Sequence, residues 1–418
     1  MSSLLVVAAF AAQAAATTGG SIPPASTDTT SPKVSPSESN YIDLEAGVGY
    51  SSNPLLSTVN DQGSAFGRIS LHGVHSRVSA RSTTLLSVYA EDVSYTNHHG
   101  SQQSANLYGR HDAAVSEHAR LFIDANATYQ EGGQLDTQVL GLPIIPPPIP
   151  GGIVTPPILI LPGGDFLSVT GREYSFGAHG GGTFALGARD SVSLSSGIEH
   201  VTFHSGLTRT NYTRVPASLG YDRQLTAHTT VGARVTAEST NYNGPANFRV
   251  ITPQVTARTL LSPTISLDGA VGVSFARIDN GLATRDTTGL SAQANLCGQG
   301  ETSFFCARFS ADEQTATTAG PARSLSGSVD YSRRLDANQT ISFSLGVTHY
   351  STPTSVVIAQ TFSSASYYRA AASYSRKFAS RVYGGVDLSA RKVTQNGPDP
   401  KADLSASLFL RYRFGDVQ

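Results

Sequence analysis

The sequence predicts an all-β fold: a transmembrane antiparallel up-and-down barrel of about 18 strands (16–20) closed on itself. Three observations predict it. Strand-length segments alternate apolar and polar residues, their connections alternate between tight and long, and the chain is weakly charged without any long apolar run. Charged residues make up 14% of the 418 residues, and the formal net charge is −1. With no basic excess to neutralise a phosphate backbone, nucleic acid is not an expected partner. Trp is absent and Met occurs only at position 1. No stretch beyond the first dozen residues approaches the roughly 18 unbroken apolar residues of a spanning helix. A chain of this kind enters a membrane only if its apolar residues are hidden in alternation.

Residues 1–16 read as a signal peptide. From Leu4 the sequence LLVVAAFAAQAAA is a short apolar core followed by small residues, with Ala12-Gln13-Ala14 as the cleavage site. No Lys or Arg precedes that core, which fits a true start further upstream. Residues 17–40 are rich in Ser, Thr and Pro and lack the apolar residues for a core, so they are expected to form a flexible lead-in.

From Tyr41 to Phe414 the alternation is sustained. A strand sends successive side chains to opposite faces, so each such segment has one apolar and one polar wall. In 119–130, Leu121, Ile123, Ala125, Ala127 and Tyr129 alternate with Phe122, Asp124, Asn126, Thr128 and Gln130. In 264–276, Ile265, Leu267, Val271, Val273 and Phe275 oppose Ser266, Asp268, Ala270, Gly272 and Ser274. The last segment, 402–414, sets Leu404, Ala406, Leu408, Leu410, Tyr412 and Phe414 against Ser405, Ser407, Phe409, Arg411 and Arg413. It is expected to pair with the segment at 41–50 and remove the last free edge.

The connections fall into two classes. Tight ones include 116–118, 188–190, 260–263, 336–338 and 379–380; longer ones include 51–64, 131–171, 279–287, 313–323, 352–364 and 393–401. Short turns on the periplasmic side and long loops outside are the signature of outer-membrane barrels. A soluble sandwich shows no such asymmetry and uses strands nearer five or six residues. Aromatics near the strand ends (Tyr41, Tyr50, Tyr95, Tyr129, Phe203, Tyr221, Tyr242, Tyr331, Tyr350 and Phe378) suit girdles at the membrane–water boundary.

The final strand, with Leu408, Leu410 and Tyr412 at alternate positions before Phe414, resembles the terminal signal of outer-membrane barrels. The resemblance implies recognition by the barrel-assembly machinery; residues 415–418 follow as a short tail. The opening strand and first loop, LEAGVGYSSNPLLS (Leu44–Ser57), resemble the start of porin-like barrels associated with exopolysaccharide production. That likeness implies a polysaccharide cargo and carries over no catalytic residue.

Several features carry chemistry or its alternatives. Cys297 and Cys306 flank a tight hairpin on the polar phase, and in an oxidising compartment such a pair forms a disulfide. No Cys or His cluster accompanies them to make a metal site. The loop at 131–171 contains GLPIIPPPIPGGIVTPPILILPGG, whose prolines favour an extended conformation; it reads equally as a plug, an adhesive tip or a floppy surface loop. Asp124, Glu199, Arg234, Glu238, Asp268, Asp330, Arg369, Asp387, Arg391, Arg411 and Arg413 fall on the polar phase and are expected to line the lumen. Both signs occur, so no strong ion selectivity follows. The last three strands carry Arg369, Arg391, Arg411 and Arg413, a candidate basic wall.

GAHGGGTFALG (Gly177–Gly187) lacks the Lys-Ser/Thr of a phosphate loop, and His98 and His99 have no second cluster at ligand spacing. No enzyme activity and no cofactor are expected. The sequence therefore predicts a bacterial outer-membrane channel in contact with lipid, passing a polysaccharide or small hydrophilic solutes. The competing expectations are a structural or adhesion barrel with a plugged lumen and an enzyme at the barrel rim.

Overall fold

A computed structural model describes residues 37–58, 62–97, 99–131, 172–204, 210–244, 247–279, 284–316, 320–351, 364–395 and 399–416. The signal peptide, nearly all of the lead-in, the loop at 132–171 and His98 lie outside the described residues. The strands, in chain order, are β1 (Ser37–Ser51), β2 (Ser64–Val78), β3 (Ser82–Tyr95), β4 (Ser101–Ala114), β5 (Ala119–Glu131) and β6 (Arg172–Ala185). They continue as β7 (Asp190–His204), β8 (Tyr212–Gln224), β9 (Thr229–Tyr242), β10 (Asn247–Ser262), β11 (Ile265–Asp279) and β12 (Thr284–Gln299). The remainder are β13 (Ser303–Ala316), β14 (Gly320–Arg334), β15 (Gln339–Ser351), β16 (Ser364–Ala379), β17 (Val382–Gln395) and β18 (Asp403–Gly415). No helix occurs among the described residues.

Each strand pairs antiparallel with its neighbours in sequence, and β1 pairs with both β2 and β18, so the 18-stranded sheet is a closed ring. Closure satisfies the edge N–H and C=O groups that hydrocarbon would leave without partners. The closing register sets Ile42 against Phe414 and Tyr50 against Ala406. An even strand count puts the start of β1, the end of β18 and the turns after the even-numbered strands at one rim. We call this the near rim and the opposite one the far rim.

Side-chain alternation turns the sheet inside out relative to a soluble core. On β18, Leu404, Leu408 and Leu410 are 61%, 61% and 57% exposed, whereas Ser407 and Phe409 are buried at 5% and 7%. Large exposed apolar residues recur on every strand pair around the ring, including Ile69, Ile123, Ile198, Val255, Val271, Leu290, Leu345 and Leu388. Such a belt is the surface a bilayer solvates. The inner wall is built from Ser, Thr, Gly and paired charges, and its glycines serve packing. A Cβ on Gly177 would stand 2.8 Å from Oδ1 of Asn126, and one on Gly385 2.8 Å from the Phe409 ring. Long inward side chains lie flat across the glycine of the next strand. Gly177 and Gly181 of the Gly-rich run thus serve wall packing, the latter beneath the Phe122 ring.

Three expectations need correction. Ser37–Asn40, placed in the lead-in, are the first residues of β1. The connections expected at 279–287 and 313–323 are only 280–283 and 317–319, because β12 starts at Thr284 while β13 runs to Ala316 and β14 starts at Gly320. There the ribbons continue by backbone hydrogen bonding through polar residues, where hydrophobic alternation fades. The aromatic girdle is half what was expected. Tyr50, Tyr221 and Phe378 are exposed on the outer phase, but Tyr242 and Tyr350 are buried on the inner one. Tyr41, Tyr95 and Phe203 share that inner phase; the Tyr41 ring lies under the Arg413 guanidinium at 4.2 Å. The strands exceed the length a bilayer needs, so their ends carry aromatics into the mouths as well as to the lipid.

Cys297 and Cys306 are direct register partners on β12 and β13 and are joined by a disulfide at the near rim. The chain-entropy model values so short a loop at about 2–3 kcal/mol. Cys297→Ser is expected to lower the unfolding free energy by about that amount and leave the ring closed. Mass spectrometry without reductant should find neither native thiol alkylatable.

Candidate functional site

The candidate site is the inner wall where the ring closes, together with the first far-rim connection. β1 and β18 meet residue for residue only because the alternation holds phase around the whole ring. Closure brings acids from one chain end against bases from the other. Arg413 donates through Nε and Nη2 to the two oxygens of Asp43, both at 2.7 Å. Arg411 donates to Oε2 of Glu45 at 2.9 and 2.6 Å. Arg68 on β2 bridges Oε1 of Glu45 at 2.6 Å and Oδ2 of Asp387 on β17 at 3.0 Å. The second Asp387 oxygen accepts from Ser373 Oγ at 2.7 Å. Fork-shaped guanidinium pairs of this kind are directional and strong for their size.

At the far rim, Asp403 is fully buried (0% exposed). Its Oδ1 accepts from Ser51 Oγ at 2.7 Å and the Asn53 backbone N–H at 2.8 Å. Its Oδ2 accepts from Arg391 Nε and Nη2 at 3.0 and 2.5 Å. Arg391 also donates to the Pro54 carbonyl at 3.2 Å. The segment 52–57 is tied further by the Asn53 side chain, which donates to the carbonyls of Ser57 (3.3 Å) and Lys401 (3.0 Å) and accepts from Ser57 N–H at 3.1 Å. This turn carries Leu56, held at φ 44°, onto Tyr350, Ala365, Tyr367 and Val393 of the inner wall. A branched residue in the left-handed region costs energy and persists only where surrounding contacts over-determine it. Residues 52–57 are therefore tied against the inner wall at the far mouth.

All eleven sequence candidates lie on the inner phase, each beside a polar neighbour. Arg234 donates to Gln254, and Glu238 faces Arg214 at 3.5 Å. Asp268 stands 3.1 Å from Arg258, and Asp330 stands 2.7 Å from Arg308. Arg369 donates to Ser344 at 3.1 Å. Asp387, Arg391, Arg411 and Arg413 belong to the closure network. Of the expected basic wall, Arg391, Arg411 and Arg413 are answered, together with Arg68, by Asp43, Glu45, Asp387 and Asp403, whereas Arg369 donates to the neutral Ser344. Sequence reading missed Asp43, Glu45, Arg68 and Asp403. The Asp43–Arg413 contact spans 370 positions, and its only signal was that both residues lay on polar phases of strands expected to pair.

Asp124 and Glu199, also expected on the wall, contact His179 (3.0 Å) and Arg214 (2.5 Å). Among the described residues no group of three or more His, Cys, Asp or Glu is arranged to hold a metal. His99 has its Nε2 at 2.9 Å from the Gln62 carbonyl, a loop contact.

No protein-family model matches the chain, and no curated protein matches it by sequence. Among solved structures, the chain is similar to outer-membrane proteins. OccK2 (OpdF) of Pseudomonas aeruginosa is 10% identical over 91% of this chain and 98% of its own, with a TM-score of 0.42. OpdQ of the same organism is 10% identical over 90% and 98%, with a TM-score of 0.41. The FrpB iron transporter of Neisseria meningitidis (F3-3 variant) is 10% identical over 86% of this chain, with a TM-score of 0.43. The chain spans 62% of that transporter's length.

Proposed function

We propose that the protein is a channel of the bacterial outer membrane through which small hydrophilic solutes diffuse. The observation that carries this reading is the closed 18-strand ring with an apolar outside and a polar inside whose closure seam pairs acids with bases. Barrels of about 16–18 strands leave an aqueous path once side chains have filled what they can. The matched charges favour neither cations nor anions, so size and hydrogen bonding decide passage. Passage of a secreted polysaccharide, implied by the likeness of Leu44–Ser57, is the narrower form of the proposal; Ser and Thr hydroxyls on the wall suit it. Lipid and the assembly machinery are its proposed partners, and we assign it no enzymatic activity. A second reading, a surface barrel with a closed lumen, draws on the latched first loop.

Swelling of proteoliposomes in sugars of graded size separates the two. The channel reading expects swelling that slows with sugar size and is equal for neutral and acidic sugars of one size. Swelling no faster than in protein-free vesicles supports the closed barrel.

A further inference from the structure

Charge is unevenly spread around the near rim. On the arc from β4 to β9, arginines stand beside acids: Arg110 donates to Asp112 at 2.8 Å, and Arg223 lies 3.9 Å from Asp190. The hairpins β14–β15 and β16–β17 differ. Their near-rim segments, 332–341 and 374–384, carry Arg333, Arg334, Arg376, Lys377 and Arg381 against a single acid, Asp336. Asp336 is engaged within its own turn, accepting from the Asn338 N–H at 2.7 Å and the Gln339 side chain at 2.6 Å. All four arginines are exposed. Arg334 donates to the Glu301 carbonyl at 3.3 Å, and Arg376 lies over the Phe378 ring at 6.0 Å. None of the four forms an ion pair among the described residues.

Two of these arginines are on the lipid-facing phase. Along β14 that phase runs Val329, Tyr331, Arg333 and then Leu335; along β16 it runs Tyr374, Arg376 and Phe378. Leu335 and Phe378, nearer the rim, are 52% and 64% exposed, so apolar surface continues past both guanidinium groups. A cation on the lipid face is costly at mid-membrane and tolerated at headgroup level, the level that the Tyr331 and Tyr374 rings suit. Ile341 of β15 is the register partner of both Arg333 and Tyr374. Arg333 and Arg376 are therefore two strands and two residues apart, about 12 Å between Cα atoms. Two arginine side chains close that gap around one headgroup. A soluble anion would have to reach them past Leu335 and Phe378, whereas the phosphate of a lipid arrives from the membrane side.

We propose that the outer face of β14–β17 at the near rim holds an anionic phospholipid of the adjoining leaflet, its phosphate between Arg333 and Arg376. Guanidinium forks match phosphate oxygens. Arg334, Lys377 and Arg381 add positive potential from the rim, and the acyl chains run over Val329 and Phe343 towards mid-membrane. The proposal rests on the chain being a membrane barrel and stands whether or not the barrel conducts.

The test uses the full chain in nanodiscs containing phosphatidylcholine and phosphatidylglycerol in equal parts. Barrels are released and the lipids they retain are identified by native mass spectrometry. The wild type is expected to retain phosphatidylglycerol over phosphatidylcholine by about tenfold or more, and Arg333→Gln and Arg376→Gln each to lower that preference about fivefold. The double variant should abolish it. Its circular dichroism should match the wild type; if it does not fold, the single variants carry the test. Arg223→Gln, elsewhere on the same rim, should leave the preference intact. Retention of both lipids in equal amounts by the wild type, or a preference that survives loss of both arginines, overturns the proposal. Displacement of the lipid by excess inorganic phosphate would reveal a free-phosphate site and overturn it as well.

Discussion

Replacing Asp403 by Ala lowers the unfolding free energy by about 3–5 kcal/mol, the cost of stranding one member of a buried ion pair. Asp403 is 0% exposed and accepts from Ser51, Asn53 and Arg391 together. The variant leaves the Arg391 guanidinium buried without that carboxylate and the Asn53 N–H without its acceptor. It also releases the latch on residues 52–57, so Leu56 leaves the inner wall and the mouth widens. The measurements are the denaturation midpoint by circular dichroism and the unit conductance, the first falling and the second rising. Asp403→Asn keeps an acceptor and is expected to fall between wild type and Ala on both. A surface pair would lose only about 0–1 kcal/mol, and such a small loss would contradict the burial of this one.

Arg68→Ala has the largest expected effect on ion flow. Arg68 is 5% exposed and stands between Glu45 and Asp387. Removing it leaves Asp387 without its guanidinium and Glu45 with Arg411 alone, at a cost of about 3–5 kcal/mol. The wall then carries one excess negative charge, and the reversal potential in a salt gradient moves towards cation preference. Arg68→Lys restores the charge but supplies a point donor in place of a fork. It is expected to recover selectivity more fully than stability. An unchanged reversal potential in Arg68→Ala would mean that these groups do not face the ion path.

The same two networks show how far the residues speak for themselves. Period-two alternation is imposed by the backbone, so Leu404, Leu408 and Leu410 announced their face without any knowledge of neighbours. Closure between the segments at 41–50 and 402–414 followed, because a sheet in hydrocarbon must lose its edges. The partners of the wall charges were not legible, because a contact such as Asp43–Arg413 depends on register carried around every intervening strand. The folded-in loop was hidden for a similar reason: Ser52–Ser57 has no periodicity, and its anchor Asp403 lies 350 positions from Asn53. The inward Tyr242, Tyr350 and Phe203 were misread because apolar residues at strand ends serve a mouth as readily as a lipid boundary.

Single-channel recording in planar bilayers tests the central claim most directly. The purified protein is expected to insert and give discrete conductance steps, with nearly equal permeability to cations and anions. Protein that inserts, shown by protection of its strands from added protease, yet never conducts would contradict it.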